Sequence, residues 1–413
     1  MIRYALNLNV LLTIMLTHSC TAQHYHLFEK GRRVRTGLEV FCEQKAKRYA
    51  GMKAAVVTNN SGYDYHLQRN IYLLKNKGIQ VTMILEPEHG LYGYKNEMDY
   101  SYGWFDEHTG LPVYNLYGAA RQQLRHLFSG VDLVIFDIQD MGMRCYTYIT
   151  DLKVVMDALD GSNRELIVLD RPNPTSFLGI DGADLDPRFA TAYVSAFPAP
   201  FMYDMTIGEA ARYYCGIRGL DIKLTVVPMN RYRRGMRFHE TGLPWIPPSP
   251  NLPTYESAVV YTALVLMEGI NLSLGRGTAK PFEYIGAPWI DPEDFCAEMD
   301  RIGLKQFRFK PVYFKPTFSK YAGFRCGGAQ IFYLGGRFSP TETAYRMISA
   351  IMKRYPYLTS WVCHGGRYDI DALAGTDMFR RSIQEGKSWE EFQALIAAGR
   401  VSYMKKRKKY LLY

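Results

Sequence analysis

No nucleotide fingerprint occurs in this sequence. GxGxxG and the P-loop are both absent, and the Asn59–Gly62 turn matches neither pattern. A nicotinamide or nucleotide cofactor is therefore poorly supported, and no cofactor is assigned. HExxH and GxSxG are missing too, which argues against a zinc-protease helix and a serine-hydrolase elbow. The seven cysteines include no CxxC pair, so neither a cysteine zinc site nor a disulfide framework is indicated. Most of them are expected as small buried side chains, and no metal is assigned. There is no zinc-finger spacing, RNP-type motif, heptad or internal repeat, and no nucleic-acid partner is expected.

What is present belongs to a globular protein. Hydrophobic residues make up 47% and charged residues 22% of the 413, a length that suggests two domains. Aromatics reach 14%, led by 32 tyrosines, which suits a ring-lined sugar cleft or a tyrosine-rich core. Lysine and arginine exceed the acids by 50 − 40 = 10 charges. Half of that excess is the run Lys405–Lys409, read as a solvated face. A basic surface also suits an anionic substrate.

At the start of the chain, Arg3 precedes an apolar run, Val10–Leu16, and small residues up to Cys20. The run is too short for a membrane span and reads as a secretory signal over residues 1–22. Export to the periplasm or cell envelope is expected, with membrane anchoring only through the N-terminus. Cys20 is the candidate lipidation site, although Thr17 stands where a lipobox prefers Leu, and cleavage after Ala22 competes.

The first half alternates strands and helices. Lys53–Thr58, Gln80–Leu85, Val131–Ile138, Leu166–Leu169 and Lys223–Val227 read as strands, and Asp64–Lys75, Thr147–Leu159 and Thr206–Tyr214 as helices. This order implies an α/β domain with a parallel sheet and right-handed crossovers. Tyr92–Leu116, aromatic and glycine-rich without periodicity, reads as a long functional loop. Trp245–Pro253 carries Pro247, Pro248, Pro250 and Pro253 and reads as a rigid connector, dividing 24–250 from 251–413. The second part, with helices at Ser257–Met267, Asp291 onward and Thr341–Arg354 and strands at Gln306–Phe314 and Gly328–Leu334, reads as α+β. Ser388 and Glu391 form a capping box for a last helix ending at Gly399.

Three strands end in polar clusters: Glu86/Glu88/His89, Asp137/Gln139/Asp140 and Asp170/Arg171/Asn173. In a parallel sheet all three lie on one edge, where ligands bind. Carboxylates beside an aromatic cleft form the glycosidase pattern, in which one carboxyl is held protonated to serve the leaving oxygen. Glu88, Asp140, Glu268 and Glu283 are the candidates. Glu268 opens a stretch whose three glycines allow close backbone approach and whose Asn271, Ser273, Arg276 and Thr278 offer donors. Arg144 and Arg171 pair with site carboxylates or clamp a substrate carboxylate.

Several motifs carry a family resemblance: Pro87-Glu88-His89-Gly90, Phe136-Asp137-Ile138-Gln139-Asp140, Arg144 with Tyr146-Thr147-Tyr148, and Leu169-Asp170-Arg171-Pro172-Asn173-Pro174. Pro248-Ser249-Pro250-Asn251, Glu268-Gly269, Gly275-Arg276-Gly277-Thr278, Pro281-Phe282-Glu283, Gly286-Ala287-Pro288-Trp289, Gly375-Thr376-Asp377 and Tyr410–Tyr413 continue it. The chain from Arg33 to Tyr413 resembles the exo-acting β-N-acetylmuramidases, glycosidases of peptidoglycan turnover. Glu86 departs from the glycine that the family often has there. The resemblance implies a Rossmann-like first domain, a smaller second domain and an active cleft between them. It also implies release of terminal, non-reducing β-1,4-linked N-acetylmuramic acid from a peptidoglycan-derived disaccharide or muropeptide. The lactyl carboxylate of that sugar is an anion for Arg144, Arg171 or Arg276. The expected catalytic residues are Glu88 as general acid, Glu268 and Asp140. His89, Asn59, Gln139, Arg144, Tyr146, Arg171, Asn173, Asn251, Asn271, Arg276 and Glu283 are expected to contact substrate. A non-catalytic muropeptide-binding protein and a hydrolase of another amino sugar are the rival readings.

Overall fold

The computed structural model describes residues 33–95 and 103–413. The expected signal segment and Cys20 lie outside the described residues. Seven strands form the main sheet: β1 (Lys53–Thr58), β2 (Gln80–Glu86), β3 (Gly103–Asp106), β4 (Leu111–Asn115), β5 (Leu133–Asp137), β6 (Glu165–Leu169) and β7 (Lys223–Val227). Their spatial order is β3-β4-β2-β1-β5-β6-β7, and every neighbouring pair is parallel except β3 with β4. The chain leaves β1 for β2 on one side and later returns to β5 on the other. That reversal opens a crevice at the carboxyl ends of the strands.

β1, β5 and β6 are buried nearly end to end, as strands covered on both faces must be. Helices Asn70–Asn76, Arg121–Phe128, Tyr148–Leu159 and Ile207–Arg218 make the crossovers. A second, three-stranded antiparallel sheet has the order β8 (Tyr284–Ala287), β10 (Cys326–Tyr333), β9 (Phe307–Phe314). The helix Tyr255–Leu264 is buried at every residue from Ser257 onward. A helix apolar on all sides must be enclosed, and this one is enclosed by both halves. One continuous apolar core accordingly runs from Ala55 to Tyr403.

Helices Gly37–Gln44 and Arg121–Phe128 and strand β8 were not expected from the sequence, and three further elements differ from their expected form. The helix expected from Asp64 starts at Asn70, because Asp64 Oδ1 receives Gln68 N at 2.7 Å and builds a turn that sets Leu67 at φ +57°. The expected loop Tyr92–Leu116 contains β3 and β4, which extend the sheet beyond β2. β4 is short and carries Pro112, so its strand signal was weak. The last helix runs Trp389–Arg407, straight through Gly399. That glycine packs on Asp184: a Cβ there would lie 3.0 Å from Asp184 Oδ2. Beyond the helix the chain returns to the first half, where Tyr413 donates its hydroxyl to Asp170 Oδ2 at 2.7 Å and Leu412 N meets Glu209 Oε1 at 2.6 Å.

Glu86, the last residue of β2, is fully buried. Its carboxylate takes Lys95 Nζ at 2.5 Å, Leu91 N at 2.9 Å and Trp104 Nε1 at 3.2 Å. The acid that departs from the family pattern thus fastens the segment following β2 to the strand itself. Glu86→Ala strands the buried Lys95 charge, and we expect a loss of about 3–5 kcal/mol in denaturant unfolding. Glu86→Gln, which keeps an acceptor, should lose less.

Candidate functional site

Pro87 cannot continue the β2 ladder, so the chain turns immediately after the Glu86 anchor. Glu88 and His89 are carried on that turn, and His89 sits at φ +70°, a left-handed conformation that few non-glycine residues adopt and that clusters at functional sites. Both ring nitrogens of His89 have partners: Nδ1 faces Lys95 O at 3.3 Å and Nε2 faces Ser249 Oγ at 3.2 Å. Glu88 is half-buried, and its Oε2 accepts the Thr147 hydroxyl at 2.6 Å. Tyr148 braces the turn from below. Its hydroxyl receives Asn59 Nδ2 at 3.0 Å and donates to Pro248 O at 2.5 Å, with Glu88 O 3.3 Å away. The carboxyl ends of β1 and β2 and the proline-rich segment therefore meet at one phenol.

The opposite wall comes from the second half. Glu268 accepts Nε and Nη2 of Arg276 at 3.0 and 2.6 Å. With His89 and Asn251 these two residues line a cavity of about 450 Å³, whose other walls include Leu272, Leu274, Phe318, Lys320 and Asp369. Glu88 is the chain neighbour of His89 and is not itself among the residues that line the cavity. An aromatic path joins the two walls: Tyr148 meets Tyr146 at 4.8 Å, Tyr146 meets Tyr261 at 6.1 Å, and Tyr261 meets Phe282 at 4.7 Å between ring centroids. Arg276 lies over the Phe282 ring at 4.9 Å. Burial pushes the Tyr261 hydroxyl well above the ordinary tyrosine range, and the nearby charges of Glu268 and Glu88 push it further. Carboxylates from the two halves thus act on one tyrosine.

Other expected site residues are not in the cleft, and their contacts explain why. Arg144 is fully buried and donates to the carbonyls of Ala199 at 2.9 Å and Leu373 at 3.1 Å. Gly375, at φ +71°, must be glycine there, because a Cβ would fall 2.2 Å from Arg144 Nη2. Arg171 grips Asp137 through Nε at 2.7 Å and Nη2 at 3.0 Å, and Asn70 Nδ2 adds a bond to Asp137 at 2.7 Å. Asn173 donates to Met205 O and accepts from Thr175, and Gln139 donates to Asp140 O and Pro172 O. Asn59 holds Ser61 and Tyr148, and Tyr146 is buried in the aromatic path. Asn271 ties Leu358 and Ser360, and Glu283 pairs with Lys280 at 2.9 Å. These eight residues hold the cleft's surroundings rather than line it.

Asp140, expected to be catalytic, is buried as well. Its Oδ2 accepts Tyr203 OH, and Gly142 N at 2.6 Å. Burial raises its carboxyl to about 6, against the lowering effect of those donors. The residues that sequence reasoning missed are Thr147 as the Glu88 partner, Ser249, Lys320, Phe318 and Asp369. Thr147 and Ser249 lie inside motifs already singled out, whereas Lys320 carries no local signal.

Another cavity, about 1090 Å³, shares no residue with this cleft. Lys405, Lys406, Lys408 and Lys409 rim it above Tyr213, Tyr403 and Tyr410, and Asp184 is its lone carboxylate. The basic run therefore walls a groove, and its central Arg407 is buried against Asp204 at 3.0 Å. The smaller cleft is lined by His89 from the first half and by Glu268, Arg276 and Asp369 from the second.

A Rossmann-like half and a smaller α+β half enclosing an acid-lined cleft define the class of two-domain sugar hydrolases. The chain belongs to the exo-β-N-acetylmuramidase NamZ family: its N-terminal model matches residues 54–256 and its C-terminal model residues 259–413. It is 37% identical over 386 residues to the peptidoglycan β-N-acetylmuramidase NamZ of Bacillus subtilis (strain 168), covering 93% of this chain and 92% of that one. Two crystal structures of DUF1343 family proteins from Bacteroides fragilis NCTC 9343 are also similar. One matches with a TM-score of 0.82 at 30% identity and the other with 0.69 at 28%, each covering 92% of this chain and 99% of its own.

For Asp140 the linkage has a definite sign. Its folded pKa, about 6, lies above the ordinary 3.8, so the native state holds a proton that the unfolded chain has released. Relative to Asp140→Asn, the wild type should lose stability as pH rises from about 4 to about 6 and run parallel above that. Thermal melts across this window check the shift. The variant should also keep turnover within about threefold of wild type, as expected of a residue outside the cleft.

Proposed function

We propose that this cleft removes terminal, non-reducing N-acetylmuramic acid from peptidoglycan fragments, with Glu88 as the general acid. The observation that carries the reading is convergence. His89, next to Glu88 on the turn after β2, and Glu268 with Arg276 from the second half meet around one cavity of about 450 Å³. Membership of the exo-β-N-acetylmuramidase family makes the chain a glycosidase, and the name of the Bacillus subtilis relative supports the peptidoglycan substrate.

The mechanism follows from the geometry. Glu88 delivers its proton to the glycosidic oxygen as the bond to the anomeric carbon breaks. Thr147 fixes the carboxyl in place through its 2.6 Å bond, and His89, clamped between Lys95 O and Ser249, walls the same side. The Glu268–Arg276 pair faces the sugar from across the cleft, placed to orient the 2-acetamido group or activate water. The apolar walls Leu272, Leu274 and Phe318 exclude solvent from the sugar face. Glu88→Gln should fold normally and lose about 10²–10⁴-fold in kcat on a chromogenic muramide. Near wild-type turnover would remove Glu88 from the chemistry. A preference for glucosaminides over muramides in the same assay would point to another amino sugar.

We also propose export to the cell envelope, on the strength of Arg3, the Val10–Leu16 run and a polymer substrate that lies outside the cytoplasm. Fractionation of cells making the full chain or Cys20→Ala tests it. A membrane-bound chain released by the substitution identifies Cys20 as the anchor. A soluble exported chain supports cleavage after Ala22, and retention in the cytoplasm contradicts export.

A further inference from the structure

The cleft contains a cation that the family motifs do not include. Lys320 sits on the segment Pro316–Gly323, which closes on itself through Gly323 N donating to Pro316 O at 2.8 Å. The residues on either side, Ser319 at φ +69° and Tyr321 at φ +61°, both take the left-handed conformation. Two departures of this kind flanking one side chain persist only where the surroundings impose them. Here they do. Thr317 N and Oγ1 both donate to Gly277 O at 2.9 Å, and Tyr321 OH donates to Asn271 O at 2.8 Å. Gly277 must lack a side chain for this approach, since a Cβ would lie 2.6 Å from Phe318 N. The segment is thus bound at both ends to the Glu268–Thr278 stretch that builds the cleft wall.

The strain aims one ammonium. Lys320 Nζ donates to Glu268 O and to Ile270 O, each at 2.6 Å, and the side chain lines the cavity beside Arg276 and Asp369. An ammonium has three donors, and these two contacts are to neutral carbonyl oxygens. Burial pulls the Lys320 pKa below the ordinary lysine value, while Glu268 and Asp369 favour the charged form. Of the three arginines considered as carboxylate readers, Arg144 spends its donors on backbone carbonyls and Arg171 on Asp137, while Arg276 is engaged with Glu268.

We propose that Lys320 is the specificity-determining residue that reads the carboxylate of the bound sugar, its remaining N–H pairing with the lactyl group of the muramyl residue. This rests on the muramidase reading of the cleft. Two carbonyls fix the ammonium, so no side-chain ordering is needed when the substrate arrives, and a charge-assisted bond in a partly buried site discriminates more than one in open water. A glucosaminyl residue, which lacks the anion, leaves the ammonium unpaired.

The test is a double comparison. Wild type, Lys320→Met and Lys320→Arg are assayed on a chromogenic muramide with a free lactyl carboxylate and on its methyl ester. Wild type should lose about 10–100-fold in kcat/KM on esterification, carried mainly by KM. Lys320→Met should lose a similar factor on the free acid and change little on the ester, and Lys320→Arg should recover part of the loss on the acid. Equal losses on both substrates would reduce Lys320 to a structural clamp, and no loss on either would remove it from the site; both overturn the proposal. A wild type that turns over neither substrate would instead overturn the muramidase reading itself.

Discussion

The cleft depends on the hydroxyl of Tyr148. Three segments far apart in sequence reach it: Asn59 after β1, Glu88 after β2 and Pro248 in the proline-rich stretch. A buried phenol with no partner would be unfavourable, so the three segments hold one another at hydrogen-bond distance. Thr147, one residue earlier, holds the Glu88 carboxyl itself. The start of the helix Tyr148–Leu159 thus positions Glu88, while its far side packs in the shared core. The second half is attached to the same core through the enclosed helix Tyr255–Leu264, so the two walls of the cleft are parts of one packed body.

The polar residues at the sheet edge divide into two groups. Asp137 with Arg171, Asp170 with Thr206 and Tyr413, and Asn173 with Thr175 satisfy each other and staple the loops. Burial raises the Asp170 carboxyl to about 7 even against its donors, which marks a group enclosed by protein. Glu88 and His89, at the strand that turns at a proline, stand against the cleft. Polarity at the carboxyl edge is thus needed for the fold before it is available for chemistry, and few of its members line the cleft.

This division explains what the sequence conveyed and what it withheld. The parallel sheet was legible because β1, β2, β5, β6 and β7 are short apolar runs between turn signals. β3 and β4 were not, because both are short, β4 carries Pro112, and β3 joins the sheet only through β4. The motifs singled out Glu88, His89, Glu268, Arg276 and Asn251, and the last four of these line one cavity. The same motifs made Arg144 and Asn173 look like contacts, yet they serve packing: Gly375 makes room for Arg144 and Gly142 for Asn173. A motif reports that a residue is constrained without saying whether substrate or protein imposes the constraint. Lys320 was illegible because its conformation is imposed by Gly277 and Asn271, some 40 to 50 positions away along the chain.

The most direct test is the structure of Glu88→Gln with an uncleaved muramyl disaccharide bound. The account predicts the terminal sugar in the cleft of His89, Asn251, Glu268 and Arg276, its glycosidic oxygen within about 3.2 Å of the residue 88 side chain. A sugar seated in the lysine-rimmed groove, or in the cleft with the glycosidic oxygen out of reach of residue 88, would contradict it.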